Sequence, residues 1–131
     1  MRTMKYFAMA VLTMGLVAGL SYYKAADEAK AKYSIEEVME KAHKGKGSLL
    51  NQVKSGKANA DQKKELLSYY EELAKNPAPK TEKGTPADWK KRTGALVKAA
   101  KDVVADKDNA TRSLAQAANC MSCHKVYKTD D

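Results

Sequence analysis

Apolar positions recur at helical spacing in four stretches of the chain, and no stretch alternates as a strand would. In the first, Ile35, Val38, Met39, Ala42, Leu49, Leu50 and Val53 make one stripe. Ser34 and Glu37 stand at the spacing of a capping box, which sets its start. Ser55-Gly56 supplies a stop. Gly45 and Gly47 lie inside this stripe and cost about 1 kcal/mol each relative to alanine, so a bend is expected there. The glycines read either as a joint between two helical pieces or as a place where backbone comes close to a flat ligand. The second stretch starts at Asn59, with Gln62 three residues on, and carries Leu66, Leu67, Tyr69, Tyr70, Leu73 and Ala74 up to Asn76-Pro77. Asn76 to Pro86 holds all three prolines and Gly84, and reads as a linker between helices. Thr85-Pro86-Ala87-Asp88 starts the third, with a cap, a proline at the first helical position and an acid after it. Its stripe is Trp89, Leu96, Val97, Ala100, Val103 and Val104. After a turn at Asp106 to Asn109, a fourth helix is expected over Ala110 to Tyr127, presenting Leu114, Ala117, Ala118, Met121, His124 and Tyr127. Four helices with three connections predict an all-α chain, an antiparallel four-helix bundle.

Ahead of these helices the pattern changes. Arg2 and Lys5 precede an uncharged, mostly apolar run from Tyr6 to Leu20, so residues 1–21 read as a secretory signal, with small residues for cleavage at Gly19-Leu20-Ser21. The alternative is an N-terminal membrane anchor through residues 6–20, with Tyr22 and Tyr23 at the interface. Residues 22–33 form a polar lead and 34–131 the helical domain. Either version puts the domain outside the cytoplasm, in the periplasm of a bacterium.

The charge is +8, from 24 basic and 16 acidic residues, and stays at +6 without Arg2 and Lys5. This favours acidic partners or an anionic membrane surface. Nucleic acid is not expected, because no helix-turn-helix, RNA-binding or zinc-finger pattern accompanies the charge. One Trp, one Phe and seven Tyr make a thin aromatic core for 131 residues. A large apolar cofactor would supply part of such an interior.

The chemistry is concentrated in Cys120-Met121-Ser122-Cys123-His124, which holds both cysteines and one of the two histidines. Cys-x-x-Cys-His is the attachment signature of a c-type haem. The two thiols add to vinyl groups on one porphyrin edge, and the following histidine faces the iron as proximal ligand. Three other readings compete. A thioredoxin-like dithiol needs a strand-helix context that is missing. A zinc site would have to use Cys120, Cys123, His124 and His43, yet adjacent helical residues such as Cys123 and His124 diverge by about 100°. A disulfide three residues apart in a helix is a strained fit. One covalent haem c is the expected cofactor.

An attachment motif in the last helix of an all-helical chain resembles the class II c-type cytochromes, the cytochrome c′ group and its low-spin relatives. The continuation Val126-Tyr127-Lys128, an aromatic and then a base, resembles that family as well. The resemblance implies a haem held covalently by Cys120 and Cys123, with His124 as its proximal ligand. It also implies that the first helix meets the other haem face, with a methionine in low-spin electron carriers and an apolar residue in gas-binding members. The first helix here departs from the family pattern, so the distal candidates are this chain's own: His43, or alternatively Met39, four residues apart on one face. Each has a plainer reading, His43 as a core or solvated residue and Met39 as packing. Trp89 likewise reads as core or as haem-facing. The expected function is an exported mono-haem one-electron carrier, docking an acidic redox partner through a lysine-rich face. The alternative is a nitric oxide- or carbon monoxide-binding protein with an open sixth position. No proton-transfer pair or nucleophile constellation points to an enzyme, and several relatives form homodimers.

Overall fold

Five of the six α-helix starts among the described residues fall where a short polar side chain takes up a free backbone N–H group; at Ala110 the preceding Asn109 makes no such bond. A computed structural model describes residues 30–128, and every regular element among them is helical. The expected signal or anchor at 1–21 lies outside the described residues, as do 22–29 of the polar lead. Helix α1 (Ile35–Val38) opens on the Ser34 and Glu37 capping box and continues as a π-helical turn over Met39–His43. Helix α2 (Leu49–Lys54) is capped by Ser48. Helix α3 (Ala60–Lys75) opens on a second capping box, in which the Asn59 side chain accepts from the Gln62 N–H and Gln62 accepts from the Asn59 N–H, both at 2.9 Å. Helix α4 (Pro86–Val104) starts with the Thr85 cap and Pro86. Helices α5 (Ala110–Ala117) and α6 (Cys120–Tyr127) follow.

The stops are equally local. After α2, the Gly56 N–H donates to the Val53 carbonyl and the Lys57 N–H to that of Gln52. This Schellman pairing needs the left-handed φ of +73° that glycine adopts without cost. At the end of α4 the same pattern forms around Asp106, whose φ is +50°.

One expectation for the helices is met and one is revised. The first stripe is divided at Lys44 to Ser48. Gly45 sits at φ +87°, and added Cβ atoms on Gly45 or Gly47 would meet nothing within 4 Å. The glycines serve the bend, and neither lines the cavity formed with α6. The fourth helix is also interrupted, at Ala118 and Asn119. There the Asn119 side chain accepts from the Ser122 N–H at 3.3 Å and starts α6 afresh. Rotation at this break removes Met121 from the stripe, leaving it 61% exposed.

Lys63 at the start of α3 pairs with Asp106 beyond α4, and Trp89 at the start of α4 donates to the Asn76 carbonyl beyond α3. These two helices therefore run antiparallel. They form the main contact, with α5 on α4, α2 against α3 and α5, and α1 against α3. The core between them contains Val38, Leu66, Tyr70, Leu73 and Leu114, all nearly inaccessible to solvent. Each buried side chain of this kind stabilises the fold by about 1.5–3 kcal/mol. Among the described residues no helix is long and apolar enough to cross a membrane.

Candidate haem-attachment site

The short helix α6 is fastened by side chains at both ends. The Arg92 guanidinium donates through Nη1 to the Ser122 carbonyl at 2.9 Å, and through Nε to Asp88 at 2.7 Å. The Thr81 hydroxyl donates to the Val126 carbonyl at 2.7 Å. Tyr127 is buried edge-on against Trp89, with ring centroids 5.1 Å apart. Its hydroxyl reaches the Thr85 carbonyl at 3.0 Å and Asp88 Oδ2 at 2.9 Å, one proton facing two acceptors. The linker passes so close that a Cβ on Gly84 would lie under 3.0 Å from three Tyr127 ring atoms, which explains the glycine there.

Held in this way, α6 forms one side of a cavity of about 560 Å³. That is within the range of pockets that take small molecules and cofactors, about 300–1,000 Å³. Cys120, Cys123 and His124 line it from α6, and Met39 and His43 from the π-helical turn. Ile35, Leu73, Trp89 and Leu96 make apolar walls, so Trp89 is both core and lining. Arg92, Glu36 and Lys128 supply the charged part of the lining. All five residues singled out from the sequence thus border one space. The donor set, two unbridged thiols beside an exposed imidazole with apolar walls around them, fits a covalent haem. Among the described residues, no three His, Cys, Asp or Glu side chains are gathered closely enough to hold a bare metal ion.

The electrostatics differ between the two sides. Burial holds the Cys123 thiol above its ordinary pKa, against the pull of Arg92. His43 is pushed down to about 4, chiefly by burial and then by the charges of His124 and Lys54, so it is a neutral imidazole near pH 7. Its Nε2 lies 2.8 Å from the Tyr70 hydroxyl, and the two rings meet edge-on at 5.6 Å. Burial pushes the Tyr70 phenol well up, with the Cys120 thiol adding to the effect.

Two of these residues escaped the sequence reading as site residues. Tyr70 carried no local signal, because its partner is 27 positions away. Arg92 did leave one: it follows Asp88 by four residues, the spacing of a helical ion pair.

Hydrogen bonds from Arg92 first, and then from Tyr127, hold the Asp88 carboxyl below the usual carboxylate range. A carboxyl lowered by folding contributes stability above its unfolded pKa of about 3.9 and loses it as pH falls through the lowered folded value. An Asp88→Asn variant is therefore expected to show a flatter acid limb below about pH 4 than the parent. Denaturant midpoints measured against pH check this, and parallel limbs would refute it.

No family model, curated protein or solved structure matches the chain.

Proposed function

We propose that the chain is an exported mono-haem c-type cytochrome that carries one electron between protein partners. The observation that supports it best is the shared cavity, with Cys120, Cys123 and His124 on one side and Met39 and His43 on another. On this reading Cys120 and Cys123 bind the haem covalently and His124 is its proximal ligand. Bound haem would supply a one-electron ferric/ferrous couple whose potential depends on the axial ligands and on burial. The protein's part is to exclude water with Ile35, Leu73, Trp89 and Leu96, and to bring charge to the lining with Arg92. The exposed cysteine Cys120 and the 61% exposed Met121 leave that side open to a docking partner. The net positive charge favours an acidic partner, with encounter that weakens as salt rises. We read α1 with α2, then α3, α4, and α5 with α6, as the four legs of an antiparallel bundle like that of the class II cytochromes. We place it in the periplasm, free after signal cleavage or anchored through residues 6–20, without catalytic activity of its own and with a homodimer as one form.

A second reading, a gas-binding haem protein with an open sixth position, is favoured by one contact: His43 Nε2 is engaged by Tyr70. Absorption spectra of the exported protein, oxidised and reduced, with and without carbon monoxide, separate the readings. The carrier reading expects a c-type reduced spectrum that carbon monoxide leaves unchanged. A large shift would favour gas binding, and absence of any haem band would sink both.

A further inference from the structure

Tyr70 has a polar group in an awkward place. Its side chain is completely buried in the core between α3 and its neighbours. Among the described residues its hydroxyl has one hydrogen-bond partner, Nε2 of His43 at 2.8 Å. A buried hydroxyl that loses its partner is strongly disfavoured. The same nitrogen is the one an imidazole presents most freely to an iron, because Nδ1 is crowded by its own Cβ. The Tyr70 bond and a distal iron bond through Nε2 therefore compete for one atom.

The backbone favours the bond already made. His43 ends the π-helical turn, and the next residue, Lys44, is extended. Val38 and Ala42, on the same segment, are wholly buried and fix it against the core. The ring cannot be delivered elsewhere by sliding the turn without exposing both. Met39 lines the same cavity four residues earlier and has no such competing bond among the described residues.

Resting on the cytochrome reading above, we propose that Tyr70 is a positioning residue that withholds His43 from the haem iron and so prevents imidazole coordination on both faces. His43 then acts as a hydrogen-bonding wall of the distal side, and the sixth position is left to Met39 or to an external ligand. Desolvation of the hydroxyl alone weights the withheld arrangement by roughly five- to 150-fold.

The test compares the ferric holoprotein with its Tyr70→Phe variant by low-temperature electron paramagnetic resonance and by pyridine haemochrome assay. Tyr70→Phe keeps the ring and removes only the hydroxyl. The parent is expected to lack a bis-imidazole low-spin signal, the variant to gain it, and Tyr70→Phe combined with His43→Gln to lose it again. A parent that already gives the bis-imidazole signal, or a variant indistinguishable from the parent, overturns the proposal. Should the Tyr70→Phe protein fail to accumulate, His43→Gln alone decides. An unchanged axial-ligand signal supports the proposal, and a lost one refutes it. A parent without covalent haem is a different failure, read directly in the haemochrome assay, and removes the cytochrome reading itself.

Discussion

On the cytochrome reading proposed above, a Cys120→Ser, Cys123→Ser double variant produced in the same host as a haem-bearing parent is expected to carry no covalently bound haem. A thioether needs a thiol, and a serine hydroxyl does not add to a vinyl group under the same conditions. Each single variant retains one thiol and is expected to keep a haem bound through the other. Haem staining after denaturing electrophoresis, with intact mass, reads the result; haem surviving denaturation in the double variant would refute the attachment. The consequences extend to stability. Without a group to fill it, the apolar walls of the cavity of about 560 Å³ meet water entering past the exposed Cys120 and His124, and their burial is lost. The haemless double variant is therefore expected to contract or loosen around Leu73, Trp89 and Leu96, with a markedly lower melting temperature.

Tyr127→Ala is expected to destabilise the protein by about 3–5 kcal/mol, the usual cost of truncating a buried aromatic. The ring is 6% exposed and packs edge-on to Trp89, a pairing that adds about 0.5–1.5 kcal/mol beyond burial. Tyr127→Phe keeps the ring and is expected to cost only about 1–2 kcal/mol, through the hydroxyl bonds to Thr85 and Asp88. Denaturant unfolding of the two variants separates packing from hydrogen bonding. A loss below about 1 kcal/mol for the alanine variant would mean that this ring does not hold α6 in place.

The features legible in the sequence are those whose partners lie within a few residues. Ser34 with Glu37, Asn59 with Gln62 and Thr85 with Asp88 are each three apart, and each makes the hydrogen bond its spacing implied. The cysteine and histidine motif is local in the same sense. The interruption at Asn119 had a local signal too, an asparagine three residues before Ser122. The apolar stripe through Leu114, Ala117, Ala118 and Met121 hid it by continuing across the break. What could not be read were pairs formed only by packing: Arg92 with the Ser122 carbonyl, 30 positions apart, and His43 with Tyr70. His43 and Met39 were found as neighbours on one turn, while the residue that claims His43 came from another helix.

The interruption at Asn119 also bears on the order of assembly. A helix of eight residues does not persist in water by itself, so α6 exists only while its fastenings hold. Those fastenings, from Arg92, Thr81 and Tyr127, are few, whereas α3 and α4 share a continuous buried seam. Helix α6 can thus come away while the seam stays closed, a local opening of the kind that precedes global unfolding. On the proposed cytochrome reading, that opening would offer both thiols while α3 and α4 stay paired, and re-docking of α6 would close the wall behind the joined group.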